Sequence, residues 1–322
     1  MKKIRLIIPY FGKLPKFFPY FLLTAKRNQK IDFLIYTDQN VDQFEVLNAD
    51  NIEFKTLSFD DLRKKVQSKF DFEISLKTPY KLCDYRGAYG LIFEEELKEY
   101  DYWGFCDTDV LLGDIYQFLE EHSFFENDYV RYGLLGHLQI FKNSQEVNHV
   151  FMSGRGLNYR LDYHNVFTNE QTFIFDEADG IQKIFEKSNF KQLQDKFFHD
   201  IDISHFSFRE YGEDEPKRYY FWSEKNGLES IEIKDNKLVV KHPLYAHFQK
   251  RTIECPEFEV VDSFYVIPNR LVVGDKISIQ EIEKVTNNRF YWEYVKSTFL
   301  KKFKREKWTL GFIRHKLRMK SK

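Results

Sequence analysis

Tyr102-Trp103-Gly104-Phe105-Cys106-Asp107-Thr108-Asp109-Val110-Leu111-Leu112 is the stretch around which the chain is organised. An apolar, aromatic run meets an acidic triplet and a second apolar run follows at once, which predicts that Asp107 and Asp109 close a buried strand. Two residues apart in extended backbone, their side chains leave the same face. A hard divalent cation would neutralise carboxylates so placed. A strand end with solvated acids is the bland alternative, and a lone D-x-D does not separate the two.

Upstream, Ile4 to Ile8 is an apolar run stopped by Pro9 and followed by Tyr10-Phe11-Gly12, the pattern of a buried first strand and its loop. Pro15 to Lys26 reads as a helix, Ile31 to Asp38 as a second buried strand ending in an acid, and Ile52 to Leu57 as a third. Strand, helix, strand at the start argues for an α/β nucleotide-binding half. Asp60 to Ser68 predicts a helix capped by Ser58, and Tyr80 to Tyr100 a longer helix with Pro79 at its start. On that helix Lys81, Asp84 and Arg86 sit close to Tyr85 and Tyr89, where a salt-bridged wet face and a site role compete.

Downstream, a helix is expected near Tyr116 to Glu121 and a strand at Leu138 to Asn143. Gly133 and Gly136 would let backbone approach a ligand, although a tight bend needs them too. Phe173 to Ile181 crowds Asp176, Glu177 and Asp179 before a helix running to about Lys187. The helix macrodipole accounts for one such acid more easily than for three. From Arg218 strands and turns take over, with a turn at Asp235-Asn236. Lys241 to Arg251 then joins His247, a metal-capable imidazole, to the phosphate-capable Lys250 and Arg251.

With 322 residues, 43% hydrophobic content and a formal net charge of -1, the chain reads as a globular protein of one large domain with an appendage. Its 34 Phe and 20 Tyr supply a sizeable core and some surface for stacking on ligand rings. Cys83, Cys106 and Cys255 are widely spaced with no C-x-x-C, so neither a disulfide framework nor a structural zinc site is indicated and a cytoplasmic, reducing setting is expected. The basic, apolar N-terminus is cut by Pro9 and Gly12, short of a signal peptide, and no stretch is long enough to span a bilayer. No G-x-x-x-x-G-K-[ST] loop is present. From Lys296 on, eleven Lys and Arg face Glu306 alone, amid aromatics such as Trp308 and Phe312. If helical, this segment is a basic amphipathic surface that would either bind an anionic membrane or pack on the domain. Nucleic-acid binding is disfavoured because the basic residues are confined to one end without a matching motif.

Taken in order, Pro9-Tyr10-Phe11-Gly12, Tyr80-Lys81-Leu82-Cys83-Asp84, Asp107-Thr108-Asp109, Phe175-Asp176-Glu177 and His247-Phe248-Gln249-Lys250-Arg251 resemble the GT-A class of nucleotide-sugar glycosyltransferases, closest to uncharacterised bacterial proteins of polysaccharide and cell-envelope synthesis. The resemblance covers Ile4 to Arg251. It implies an α/β, Rossmann-like mixed sheet in a catalytic domain over 1–251, a strand- and turn-rich connecting region over 252–289, and the basic aromatic extension over 290–322. It also implies Mn²⁺ or Mg²⁺ held by Asp107, Asp109 and His247, and a nucleoside diphosphate sugar, UDP-linked, as donor. Pro9, Tyr10, Phe11, Asp38, Lys81, Asp84, Arg86, Asp107, Thr108, Lys250 and Arg251 would then contact the donor, with Asp176 or Glu177 beside the acceptor hydroxyl. The acceptor would be a glycan or a lipid-linked glycan at the inner face of the membrane. A nucleotidyltransferase or other metal-dependent phosphoryl-transfer enzyme using the same acids, and a silent sugar-binding relative, are the rival readings. The metal site as read here requires His247 to lie beside Asp109.

Overall fold

The computed structural model describes residues 1–213 and 216–286. The basic C-terminal segment expected over 290–322, with its helical and membrane readings, lies outside the described residues.

Short β-branched and aromatic runs become the strands of a seven-stranded sheet in the order β3-β2-β1-β4-β7-β6-β8. These are β1 (Ile4–Pro9), β2 (Ile31–Thr37), β3 (Ile52–Thr56), β4 (Tyr102–Cys106), β6 (Arg131–Tyr132), β7 (Leu138–Lys142) and β8 (Gln192–Leu193). The β3-to-β4 half is parallel, β7 runs antiparallel to β4 and β6, and β8 is parallel to β6. This mixed α/β sheet is the Rossmann-like arrangement expected. Alternation divides its core: Leu6, Ile8, Phe33 and Ile35 pack with helix α1 (Phe18–Arg27), whereas Ile7, Leu34 and Tyr36 face residues 79–97 on the other side. Because β1 has β2 on one side and β4 on the other, the chain reverses its winding there, and the crevice beyond the carboxyl ends of those strands is where such sheets bind ligands. Pro9 to Phe11 and Asp107 stand at that crevice.

The single helix expected over Tyr80 to Tyr100 is corrected. Pro79–Ala88 winds as a 3-10 helix, Tyr89–Ile92 makes one α-turn, and Glu94–Leu97 is 3-10 again. Three residues per turn lines up positions three apart. Tyr80, Cys83, Arg86 and Tyr89 form the row that lines the crevice, while Lys81, Asp84 and Gly87 form another row turned inward. At Gly87 an added Cβ would lie 3.2 Å from Ile181 Cδ1, so this row packs tightly on the segment that follows Asp176.

A small three-stranded sheet is built from β5 (Val110–Leu112), β13 (Tyr245–His247) and β9 (His199–Asp200), in the order β5-β13-β9. Between β9 and β13 the chain makes β10 (Arg218–Ser223), β11 (Gly227–Lys234) and β12 (Lys237–Lys241). These join β14 (Ser263–Ile267) and β15 (Arg270–Val273) in an antiparallel sheet ordered β12-β11-β10-β14-β15. That sheet draws strands from both sides of Arg251, and helix Ile279–Val285 contributes Ile282 to the core on Tyr219 and Phe221.

Candidate active site

The acidic triplet links β4 to β5, and strand register supplies its company. Val110 pairs with His247, and His247 with Asp200, so adjacent strands bring Asp109, His247 and Asp200 side by side. The amide of Phe248 donates to the Asp109 carbonyl at 3.0 Å, and that of Asp107 to the His137 carbonyl at 2.7 Å. His247 Nε2 lies 3.4 Å from Asp109 Oδ1 and 4.0 Å from Asp107 Oδ2, while Nδ1 lies 2.8 Å from Asp200 Oδ1. An ionised carboxylate only accepts, so Nδ1 carries the proton of that bond and Nε2 is turned toward the aspartate pair.

Arg86 joins this cluster to the second acidic segment. Its guanidinium bonds Asp107 Oδ1, and it donates to Asp176 Oδ2 and to the Gly136 carbonyl at 2.8 Å each. Gly136 has to be small here, because a Cβ would sit 2.9 Å from Asp176 Oδ2. Burial pushes the Asp176 carboxyl up to about 7, with Arg86 offsetting part of the rise. Glu177 is raised by burial and by Asp107. For Asp107, burial is outweighed by Arg86 and His247, which hold it below the usual range; Asp109 is raised by burial. Burial would lower His247, but hydrogen bonds to Asp109 and Asp200 win and hold it up at about 10.

These groups floor a cleft of about 1240 Å³. Pro9, Tyr10, Phe11, Lys16 and Phe17 line it on the β1 side, Tyr80, Cys83, Arg86 and Tyr89 on another, and Ile174, Asp176, Glu177, Gln249, Lys250 and Arg251 complete the wall. Thr108, between the aspartates, is buried in the same lining. Lys250 Nζ stands 5.6 Å from the Tyr80 ring centroid across the opening.

Three residues expected to contact the donor stand outside the cleft lining. Lys81 and Asp84 are buried behind the wall: Lys81 Nζ bonds Asp84 at 2.7 Å and the carbonyls of Val166 and Gln171 at 2.9 and 2.6 Å. Asp84 in turn accepts from the amides of Phe173 and Phe175. Clamped on both sides, Ile174 takes φ +55°, a left-handed backbone unusual for a β-branched residue, and turns its side chain into the cleft. Asp38 is outside the lining, accepting the Gly12 amide at 2.9 Å and so bracing the Tyr10-to-Gly12 loop. Arg251 lines the cleft, and its guanidinium donates to the carbonyls of Asp202, His205 and Phe206.

Asp200, His137 and Lys16 were not expected from sequence. Asp200 and His137 acquire meaning only through strand register and the fold, and local pattern gives no signal for either. Lys16 was legible as a cation near the Tyr10-to-Gly12 loop.

Two oxygens and one imidazole nitrogen from Asp107, Asp109 and His247 lie within 4.8 Å of one another, a donor set that suits Mn²⁺ or Mg²⁺. Two buried atoms of residues lining this cleft, Asp176 Oδ1 and His137 Nδ1, have no hydrogen-bond partner among the described residues. The residues present therefore fit a divalent cation. Among the described residues no helix is long and apolar enough to cross a membrane.

A family model described as a family of unknown function (DUF6625) matches residues 6–275. No curated protein matches the chain. Solved structures it resembles include the mannosyltransferase Ktr4p of S. cerevisiae, 15% identical over 42% of this chain and 39% of that one with TM-score 0.26. Core-mannan synthase A of Aspergillus fumigatus in its Mn/GDP form is 13% identical over 42% of each chain, TM-score 0.28. Mouse xyloside xylosyltransferase 1 is 11% identical over 63% of this chain and 88% of that one, TM-score 0.33. The matches thus span about two fifths of the length of the two fungal enzymes.

Proposed function

This chain belongs to the DUF6625 family, and we propose that it is a metal-dependent glycosyltransferase moving a sugar from a nucleoside diphosphate sugar, UDP-linked, to a glycan or lipid-linked acceptor. The observation that carries the reading is the meeting of His247 with Asp107 and Asp109, from segments far apart in sequence, at the switch point of an α/β sheet.

Asp107, Asp109 and His247 Nε2 would hold the ion. When bound, it would act as a Lewis acid on the diphosphate, whose bridging oxygen gains charge as the sugar leaves. The chain's own residues do the rest. Asp200 fixes the His247 tautomer, and His247 must give up its Nε2 proton before that nitrogen has a lone pair to offer. Lys16 and Lys250 add positive charge along the cleft, and Tyr10 and Phe11 offer rings to the base. Arg86 orients Asp107 and Asp176 against each other. Asp176, with its carboxyl raised toward neutrality, is suited to take a proton from an acceptor hydroxyl, with Glu177 beside it. A role in surface-polysaccharide synthesis, and attachment to the inner membrane face through 290–322, rest on the family resemblance and on the basic composition of that segment.

Calorimetry with UDP and with GDP, each with and without Mn²⁺, tests the reading. Expected is metal-linked binding of one nucleotide that Asp109→Asn abolishes in a folded protein. Nucleotide binding indifferent to both the metal and the substitution would sink it, and pyrophosphate release from a nucleoside triphosphate would favour nucleotidyl transfer.

A further inference from the structure

Behind the wall that carries Asp176 lies a buried cation. Arg131, on β6, is 0% exposed and stands outside the cleft lining, with its guanidinium carbon 5.7 Å and 5.0 Å from the ring centroids of Phe141 and Phe185. Its side-chain hydrogen bonds all go to glutamines. Nε and Nη2 donate to Gln139 Oε1 at 3.2 and 2.9 Å, and Nη1 donates to Oε1 of Gln182 and of Gln192 at 2.6 and 2.9 Å; among the described residues no carboxylate pairs with it. Burial pulls its pKa down to about 9, with Glu186 offsetting part of the fall, so the group is still charged at neutral pH.

A buried charge is costly without an ionic partner, and a glutamate at 139 would supply one with no change of size. Stability alone therefore does not explain the glutamine. What glutamine does and an ionised glutamate cannot is face both ways. A guanidinium only donates, so Oε1 is turned to Arg131 and Nε2 is left to donate to the carbonyls of Asp176 at 2.8 Å and Leu135 at 3.1 Å. Room is kept for this side chain: at Gly133, where φ is +136°, a Cβ would lie 2.7 Å from Gln139 Cγ. The two carbonyls belong to the segments that Arg86 joins on the cleft side, through the Gly136 carbonyl and the Asp176 carboxylate. These segments are thus tied twice, by Arg86 in front and by Gln139 behind.

We propose that Gln139, oriented by Arg131, is a positioning residue that sets Asp176 against the acceptor hydroxyl. This rests on the reading of Asp176 as the group that takes the acceptor proton, and it names what fixes that group from behind. The Arg131 charge keeps the amide from turning over, because the reverse orientation would set an NH₂ on the guanidinium and an oxygen on two carbonyls.

The test is Gln139→Glu in the full chain, read by nucleoside diphosphate release from a panel of UDP-sugars and GDP-sugars in Mn²⁺. Glutamate keeps the size and the Arg131 contacts, pairs the buried charge, and removes the donor to Asp176 and Leu135. In the folded variant kcat should fall about 100-fold at unchanged donor KM, with the affinity for the Mn²⁺-linked nucleotide also unchanged. Wild-type kcat overturns the proposal, and so does a loss shared equally by nucleotide affinity, which a general disturbance of the cleft would cause. In the wild type the Gln139 side-chain amide protons should be protected from solvent exchange; fast exchange overturns the proposal even if the variant fails to fold. If wild type binds neither UDP nor GDP with Mn²⁺, the glycosyltransferase reading itself falls.

Discussion

Replacing Lys81 by Met separates a brace from a ligand. Lys81 is 2% exposed and its ammonium has three donors and three acceptors: Asp84 at 2.7 Å, the Val166 carbonyl at 2.9 Å and the Gln171 carbonyl at 2.6 Å. Met keeps the length and apolar stem while removing the charge. Asp84, fully buried, would then hold an unpaired charge, and two carbonyls would lose their donor. Removing one partner of a buried pair costs about 3–5 kcal/mol, and the lost carbonyl bonds overlap with that figure instead of adding to it. Against a typical total of about 5–15 kcal/mol the variant should still fold in the cold. Urea unfolding followed by circular dichroism should show the midpoint falling by this loss divided by the slope, with the slope itself unchanged. Lys81→Met with Asp84→Asn should recover part of the loss, because Asn still accepts the Phe173 and Phe175 amides without a buried charge. A loss below about 1 kcal/mol together with abolished nucleotide binding would refute the reasoning and return Lys81 to the donor site.

Asp176 gives a pH prediction. Its folded carboxyl stands near 7 against an ordinary 3.8, so between those values the native state holds more protons than the unfolded chain and stability falls as pH rises. Asp176→Asn should thus gain stability relative to wild type between pH of about 5 and about 8, and an equal difference at both would contradict the burial argument. Asp200→Asn should weaken Mn²⁺ binding about 10–100-fold and, because Asp200 also helps hold His247 protonated, lower the melting temperature of the metal-free protein near neutral pH; intact affinity would remove Asp200 from the site. Ile174→Gly should relieve the left-handed backbone and leave stability unchanged or raised by up to about 1 kcal/mol, whereas a loss larger than that would mean the side chain is held by its surroundings.

The strands of the main sheet were legible because buried parallel strands are short apolar runs bounded by proline, glycine and acids, as Ile4 to Pro9 and Tyr102 to Asp107 are. The segment 79–97 was misread because apolar content says nothing about winding. Only packing on Ile181 and the buried Lys81–Asp84 pair reveals a three-residue period. That period is also why Arg86 reaches the cleft and its neighbours Lys81 and Asp84 do not. The aspartate pair and His247 were readable as residue types, but their proximity depends on β5 and β13 pairing across a long stretch of chain. Asp200 and His137 carry no pattern of their own. One is assigned by the register of β9 on β13, the other by a turn that sets its ring against His247.

The strand that carries His247 enters the chain only after the β10-to-β12 excursion has been made. The aspartates are therefore synthesised long before their imidazole, and joining them closes a very long loop, the kind of contact that forms late because its entropy is lost before it is rewarded. A nascent or truncated chain ending ahead of Tyr245 would present two carboxylates without the ring that completes the set. Competence to bind an ion would then mark completion of folding. A cation at 100 times its dissociation constant would hold the finished state by about 2.7 kcal/mol, stapling the first sheet to the last third of the molecule.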